Sequence, residues 1–274
     1  MHCPLPTLSP TVLTIAGSDP SGGAGIQADL KTMTAIGVYG AAAITCITVQ
    51  NSLGVTESVP LEAGLVARQV QAVLADHHVT HIKIGMIGTM EIARSLGKLL
   101  ADYCGEVIYD PVLASTTGQS LFNNSSLAEL SEDLISKVTV LTPNGDELAR
   151  LSQQKITTAE EALRCAGTIM ARHEHLRAVI VKGGHLGADS TDIHDYLVMK
   201  NEEVVVSRRR RIKSANLHGT GCTCASAFAA FHCREKDYGK AFALTAAYMD
   251  SLISRSSSIS LVKSGINGPL VHAL

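Results

Sequence analysis

A glycine-rich segment that ends in a cysteine gives the strongest chemical signal in this sequence. Residues 218–223 read HGTGCT and precede a run of small residues that continues to Ala230. Successive glycines leave backbone N–H groups free to surround an anion, and the N-terminus of a helix adds partial positive charge. The segment predicts an anion hole built from Gly219, Thr220, Gly221 and Cys222, with a tight turn and an N-cap threonine as the plainer alternative.

Cys222 falls in the first turn of the predicted helix, where the pKa of a thiol tends to be lowered. A thiolate at this place can act as a base or a nucleophile, so we predict that Cys222 is catalytic. The seven cysteines of the chain contain no CxxC pair, which favours free thiols in a reducing compartment. We therefore expect the protein to be cytoplasmic.

Polar residues follow most of the predicted strands at the point where each strand ends. Asp110 follows one strand, Asn144 and Glu147 follow the next, and Lys182 follows another. In open α/β sheets, ligands bind beyond the carboxyl ends of the strands. A carboxylate, an Asn with a Glu, and a lone lysine suit a site for a metal and a nucleotide, although each residue alone is also ordinary turn chemistry.

Strands and amphipathic helices alternate along the chain, which predicts a mainly parallel sheet covered by helices on both faces. We expect an α/β fold, a three-layer α/β/α sandwich with a small hairpin and lid addition, in one domain at 12–274 after a flexible tail at 1–11. The predicted strands are Val12–Ala16, Ala41–Val49, Ile82–Ile84, Val107–Tyr109, Val138–Leu141 and Ala178–Val181, with a hairpin of Ile193–Met199 and Glu203–Val206. The predicted helices are Ile26–Ile36, Leu61–Asp76, Met90–Tyr103, Ser125–Ile135, Asp146–Arg172, Gly221–His232 and Tyr238–Ser254.

Composition and motif spacing exclude several functions. A net charge of -2 provides no field for nucleic acid or anionic lipid, and no apolar run is long enough for a membrane helix. The glycines at 22, 23 and 25 lack the GxGxxG spacing of a nicotinamide enzyme, and the GxxxxGK[ST] and GxSxG motifs are absent. The single charge run, Arg208–Arg211, is typical of a solvated strand edge, with a phosphate contact as the alternative.

Seven segments carry a more specific pattern. They are GSDPSGGAGIQADLKT at 17–32, VQN at 49–51, KIGM at 83–86, DPV at 110–112, TPNGDE at 142–147, VKGGH at 181–185 and HGTGCT at 218–223. In this order and spacing the chain resembles the hydroxymethylpyrimidine and phosphomethylpyrimidine kinases of thiamine biosynthesis, which belong to the ribokinase-like superfamily. The resemblance covers nearly the whole chain after Thr11.

The resemblance implies phosphorylation of 4-amino-5-hydroxymethyl-2-methylpyrimidine, and then of its monophosphate, with ATP and Mg²⁺. It also implies a homodimer. Pyridoxal and pyridoxine kinases of the same superfamily are the first alternative. The second is a non-catalytic pyrimidine-binding sensor, which would have no need to retain Lys182, Glu147 and Cys222.

The resemblance also assigns roles to individual residues. Gln50 would bind the aminopyrimidine edge, since a carboxamide offers a donor and an acceptor in one plane. Asp29 would hold the region of the substrate hydroxyl. The walls of the pyrimidine pocket would be Gly17, Ala24, Met86 and Val112.

At the phosphate end, the resemblance makes Cys222 the base beside the anion hole. Lys182 would steady the nucleotide phosphates, and Asp110, Asn144 and Glu147 would hold Mg²⁺, largely through water. The segment from Leu113 to Gly118 is expected to be a mobile lid that excludes water.

Overall fold

The fold is described by a computed structural model over residues 9–113, 130, 132–185, 191–200 and 204–272. These residues form a central β-sheet with helices on both faces. The strands are β1 Thr11–Ser18, β2 Tyr39–Asn51, β3 Gly54–Pro60, β4 Val79–Ile84, β5 Glu106–Tyr109, β6 Val140–Leu141, β7 Ala178–Val181, β8 Asp192–Met199 and β9 Val205–Arg210. The α-helices are α1 Gly25–Ile36, α2 Ala63–Asp76, α3 Met90–Leu99, α4 Gly145–Ser152, α5 Ala159–Arg172, α6 Thr220–Glu235 and α7 Tyr238–Ser256.

The nine strands lie in the order β3-β2-β1-β4-β5-β6-β7-β8-β9. The six central strands, β2, β1, β4, β5, β6 and β7 in their order across the sheet, pair in parallel. At the edges, β3 pairs antiparallel with β2, and β8 and β9 also pair antiparallel. Parallel strands bring their carboxyl ends to one edge of the sheet, so the polar residues after β1, β4, β5, β6 and β7 share that edge.

Two hydrophobic clusters cover the two faces of the sheet. One packs α2, α3, α4 and α5 against side chains such as Ile15 and Ile84. The other packs α1, α6 and α7 against side chains such as Val12 and Ile108. This arrangement confirms the predicted three-layer α/β/α sandwich with its hairpin.

Several predicted boundaries were wrong for identifiable reasons. The predicted helix over 146–172 is two helices, because the chain turns at Gln153 in the left-handed region with φ 56. The strand β3 was not predicted, since both of its faces are largely exposed and its apolar pattern is weak. The hairpin continues through the arginines, so Arg209 in β9 pairs with Asp195 at 2.8 Å instead of lying on a fully solvated edge.

Some predictions fall on parts of the chain outside the described residues. Most of the tail at 1–11, most of the helix at Ser125–Ile135, and the lid after Leu113 are in this group. Among the described residues, none of the helices is both long and apolar enough to span a lipid bilayer.

Candidate active site

The first turn of α6 faces the carboxyl edge of the sheet. Gly219 is the N-cap residue, and no side chain caps this helix within the described part of the chain. A Cβ atom on Gly221 would lie 3.5 Å from Oδ2 of Asp110 and 3.6 Å from Nζ of Lys182. The predicted anion hole is therefore next to the predicted nucleotide residues, and we call Gly219–Cys222 with Asp110 and Lys182 the phosphate corner.

Two glycine loops meet without space for side chains at the phosphate corner. Gly219 has φ +84, and a Cβ atom on it would lie 1.7 Å from the carbonyl oxygen of Gly23. A Cβ atom on Gly23 would lie 2.4 Å from Cδ2 of His218. The loop between β1 and α1 thus fixes the backbone that opens α6.

Asp19 organises the loop between β1 and α1. Its carboxylate accepts hydrogen bonds from Ser21 N and Oγ at 2.8 and 2.7 Å and from Gly23 N and Ala24 N at 3.1 and 2.8 Å. Nε2 of His218 lies 2.9 Å from Oδ2. Burial alone would raise the pKa of Asp19, but the hydrogen bonds from His218 and Ser21 outweigh it and hold that pKa well below its usual range.

Lys182 joins the carboxylates of two predicted nucleotide and metal residues. Its ammonium lies 2.7 Å from Oδ1 of Asp110 and 3.5 Å from Oε2 of Glu147. Thr142 Oγ1 donates to the same Asp110 oxygen at 3.2 Å. Burial opposes the charge on Lys182, but both carboxylates raise its pKa, so the lysine stays a cation that can meet phosphate.

Asn144 and Glu147 hold the start of α4 through a capping box. Asn144 N donates to Oε2 of Glu147 at 2.7 Å, and Glu147 N donates to Oδ1 of Asn144 at 2.8 Å. Burial raises the pKa of Glu147 to about 7 and Asp110 adds to the rise, against the effect of Lys182. Ionisation of the Glu147 carboxyl group is therefore unfavourable, and a further cation beside it would favour the charged form.

The donor set fits a magnesium ion that is shared with phosphates. Among the described residues, His, Cys, Asp and Glu form no group of three or more that could cage a metal ion. Mg²⁺ is usually bound by one or two carboxylates together with water and substrate phosphates. Asp110, Glu147 and Asn144 supply oxygens of this type beside the phosphate corner.

Cys222 lies in the first turn of α6, but the prediction of a lowered pKa for its thiol was wrong. Burial raises the pKa of the thiol to about 11, and the carboxylates of Asp29 and Asp110 add to the rise. The Lys83 ammonium and a hydrogen bond from Gly25 N lower it by less. The helix N-terminus does not overcome desolvation here.

Asp29 occupies a different place from the one expected of a substrate residue. Its side chain is 0% exposed and lies in a salt bridge with Lys83, which is also 0% exposed. Thr14 Oγ1 and Ser226 Oγ each donate to the carboxylate at 2.6 Å. Because the carboxylate is closed off by these donors, the geometry does not support a direct contact with substrate.

Among the residues predicted to bind the pyrimidine, Gly17 contacts Met86, and Gln50 lies beside His218. A Cβ atom on Gly17 would lie 3.5 Å from Sδ of Met86, so the two are in van der Waals contact. Nε2 of Gln50 lies 3.4 Å from Nε2 of His218, which itself lies 2.9 Å from Oδ2 of Asp19. Gln50 is thereby linked through His218 to the first residue of the phosphate corner.

Ala24 and Val112, the other two predicted walls of the pocket, lie beside Gly219 and Asp110. The Cα of Ala24 would lie 3.3 Å from a Cβ atom on Gly219. The N–H of Val112 donates to the carbonyl oxygen of Asp110 at 2.8 Å. Ala24 therefore adjoins the predicted anion hole, and Val112 lies two residues after Asp110, which is predicted to hold Mg²⁺.

Three residues that organise this site were missed as functional residues. Asp19, His218 and Lys83 all lie within the motifs that carry the family resemblance, but no role was predicted for any of them. A lysine between Ile82 and Ile84 in a buried strand is a usable signal, because a buried ammonium requires a carboxylate partner.

Comparison with known proteins agrees with this geometry. Residues 19–267 match the family described as phosphomethylpyrimidine kinase. The chain belongs to the phosphomethylpyrimidine kinase family. The predicted kinase family and the ribokinase-like α/β fold are therefore confirmed.

Relatives of this family match the chain over most of its length. The hydroxymethylpyrimidine/phosphomethylpyrimidine kinase of Rhizobium meliloti is 39% identical over 262 residues, which are 95% of this chain and 96% of the relative. The enzyme of the same name from Escherichia coli is 36% identical over 95% of this chain and 96% of its own.

Solved structures include both pyrimidine and pyridoxal kinases. The Staphylococcus aureus pyridoxal kinase in complex with ADP superposes with a TM-score of 0.85 at 29% identity, over 97% of this chain and 94% of that one. The phosphomethylpyrimidine kinase of Clostridium difficile gives a TM-score of 0.75 at 32% identity, over 89% of this chain and 98% of that one.

Proposed function

We infer that this chain transfers the γ-phosphoryl group of ATP to the hydroxymethyl group of 4-amino-5-hydroxymethyl-2-methylpyrimidine, and then to the resulting monophosphate, in thiamine biosynthesis. The observation that carries this inference is the phosphate corner, where the start of α6 adjoins Asp110 and Lys182. The names of the matching kinases supply the substrate class.

Different residues would neutralise charge on the transferring phosphoryl group and on the nucleotide phosphates. The N–H groups in the first turn of α6 and the Lys182 ammonium would neutralise charge on the transferring phosphoryl group. Bound Mg²⁺, held by Asp110, Glu147 and Asn144, would neutralise charge on the nucleotide phosphates. Most of the acceleration of phosphoryl transfer comes from this positioning and neutralisation.

At the acceptor end, Gln50 would bind the aminopyrimidine edge within walls formed by Gly17, Ala24, Met86 and Val112. Nε2 of Gln50 lies against Nε2 of His218 at 3.4 Å. This leaves its carbonyl oxygen as an acceptor for an exocyclic amino group. Cys222 would take the hydroxyl proton of the substrate.

A direct assay tests the function. The purified protein is offered Mg-ATP with the hydroxymethylpyrimidine, with its monophosphate, or with pyridoxal, and phosphorylated products are separated and quantified. We expect the monophosphate and the diphosphate of the pyrimidine to form. A Lys182→Met variant, whose side chain is unbranched and only slightly shorter but carries no charge, should lose most of the activity. Absence of pyrimidine phosphorylation in the wild-type protein would overturn the proposal.

Pyridoxal phosphorylation is the second candidate function. A specific observation favours it, since the pyridoxal kinase of Staphylococcus aureus superposes with a higher TM-score, 0.85, than the Clostridium difficile pyrimidine kinase, 0.75. The parallel assay separates the two, because a higher kcat/KM for pyridoxal than for the hydroxymethylpyrimidine would make this the main activity.

We also propose that the chain acts as a homodimer through the β2–β3 edge of the sheet. Ile47 and Val59 are paired across these strands and are 43% and 48% exposed, and Val49 beside them is 52% exposed. Sedimentation should show a dimer that an Ile47→Lys/Val59→Lys variant converts to a monomer. A Leu261→Lys variant, at another exposed apolar residue, should remain a dimer.

We propose a cytoplasmic location for the chain. The described cysteines are all free thiols, which suits a reducing compartment. Fractionation of cells that express the protein should recover it with cytoplasmic markers, and recovery with membranes or in the medium would contradict the proposal.

A further inference from the structure

A charged pair is buried beneath Cys222. Nζ of Lys83 lies 2.9 and 2.8 Å from the two carboxylate oxygens of Asp29, and both side chains are 0% exposed. Replacing such a pair with apolar side chains is often neutral or stabilising, so a buried pair is weak evidence of a role in stability. The position of the pair indicates another role.

Helices α1 and α6 face each other through two successive contacts at this place. The Cα of Ala24, just before α1, would lie 3.3 Å from a Cβ atom on Gly219, just before α6. Further along both helices, the Asp29 carboxylate accepts a hydrogen bond from Oγ of Ser226 at 2.6 Å. Positions 219, 222 and 226 have the i, i+3, i+7 spacing of one helix face, so Cys222 lies between these two contacts on the face of α6 that meets α1.

Lys83 reaches this place from β4 through a gap left by a glycine. A Cβ atom on Gly85 would lie 2.9 Å from Nζ of Lys83 and 3.0 Å from Cβ of Ala16. A side chain at residue 85 would therefore press on the ammonium. The order Lys83, Ile84, Gly85 keeps room for a charge between β4, α1 and α6.

The charged groups that face Cys222 act in opposite directions. They are Lys83 from β4, Asp29 from α1 and Asp110 after β5. Lys83 has the largest effect of the three on the pKa of the thiol, and it lowers that pKa while both carboxylates raise it. The cationic end of the pair thus acts on Cys222 more strongly than the anionic end.

We propose that Lys83 is a positioning residue for phosphoryl transfer, and that its ammonium, held by Asp29, stabilises negative charge on the Cys222 sulfur. This inference rests on the proposed function. In the step, the Cys222 thiolate takes the proton of the substrate hydroxyl, the hydroxyl oxygen bonds to the γ-phosphorus, and the bond from that phosphorus to ADP breaks. The thiol then returns the proton to solvent, and Lys83 keeps its own proton throughout.

The test measures how fast iodoacetamide alkylates Cys222, with the modified residue located by peptide mass spectrometry. The variant Asp29→Asn/Lys83→Gln removes both charges but keeps groups that can hydrogen-bond with Thr14 and Ser226. The matched control Thr14→Val removes one hydrogen bond to Asp29, at 2.6 Å, and keeps both charges. Rates are compared at pH values well below the pKa of the thiol, about 11, where they are proportional to the thiolate fraction.

We expect alkylation of Cys222 to become a few times slower in the charge-free variant and to stay unchanged in Thr14→Val. Loss of the Lys83 cation raises the pKa of the thiol, while loss of the Asp29 carboxylate and the greater nucleophilicity of a more basic thiolate each offset part of the effect. The kcat of the variant should fall with little change in KM for ATP. A purely structural role would loosen the packing around the thiol and speed alkylation. An equal or faster rate than that of the wild type overturns the proposal.

Two features keep the result interpretable. If the first variant does not unfold cooperatively, Asp29→Leu/Lys83→Met fills the same space with apolar side chains and should show the same slower alkylation. Alkylation also needs neither nucleotide nor pyrimidine. A wild-type protein without kinase activity would thus refute the proposed function while this comparison of rates still stands.

Discussion

Replacement of Glu147 by Gln gives a sharp test of the electrostatics at the phosphate corner. The pKa of Glu147 rises from 4.5 to about 7, first because of burial and then because of Asp110, with Lys182 opposing. The folded state then holds a proton that the unfolded state has already released. Between these pH values the wild-type protein should lose stability as the pH rises.

The magnitude follows from the size of the shift. At about 1.4 kcal/mol per pH unit, a pKa that moves from 4.5 to about 7 corresponds to about 3 kcal/mol. Glu147 is only 15% exposed, so solvent screens little of this. At about 2 °C per kcal/mol for a chain of this size, Tm should change by about 6 °C.

The assay is thermal unfolding of the wild type and Glu147→Gln across this pH range, with a chelator present. The Gln side chain keeps an oxygen for the hydrogen bond from Asn144 N, 2.7 Å in the wild type, so the start of α4 is preserved. Buried histidines such as His81 and His272 have lowered pKa values and give the opposite slope, but they cancel in the difference between the two proteins. The wild type should become less stable than the variant by about 3 kcal/mol on passing from pH 4.5 to pH 7.

A difference in stability that stays flat, or that moves in favour of the wild type as the pH rises, would refute the reasoning. Either result would mean that Lys182, 3.5 Å from Glu147, dominates over burial and Asp110.

Three further predictions concern single residues. Cys222→Ala should lower kcat by about 10²-fold or more with little change in the Kd for ATP measured by calorimetry, and an unchanged kcat would remove Cys222 from the mechanism. Gln50→Ala should weaken pyrimidine binding about fivefold to tenfold, the value of one or two hydrogen bonds, and an equal loss for ATP would contradict the assigned role. Gly219→Ala should lower both Tm and nucleotide affinity, because its Cβ would lie 1.7 Å from the carbonyl oxygen of Gly23 at φ +84. The control Gly167→Ala, where a Cβ meets no atom within 4 Å, should leave both unchanged or raise Tm slightly.

The layered fold could be predicted because parallel strands and their crossover helices carry strong periodicity. The edge strand β3 and the break at Gln153 could not, since an exposed strand lacks apolar alternation and a left-handed turn without glycine leaves no local signal. At the site, Asp110, Lys182 and Glu147 were predicted because each follows a strand. The thiol of Cys222 was misjudged because its burial depends on packing between α1 and α6, and a helix position alone does not reveal desolvation.

The contact between the two glycine loops affects how the chain folds during its own translation. Asp19 and His218 contact each other across a sequence separation of 199 residues. During translation, the loop that Asp19 organises must wait for α6 before its carboxylate gains His218, and Asp29 must likewise wait for Ser226. Contacts of such long range form slowly, so these two acids, which are buried in the folded protein, gain His218 and Ser226 only late in synthesis.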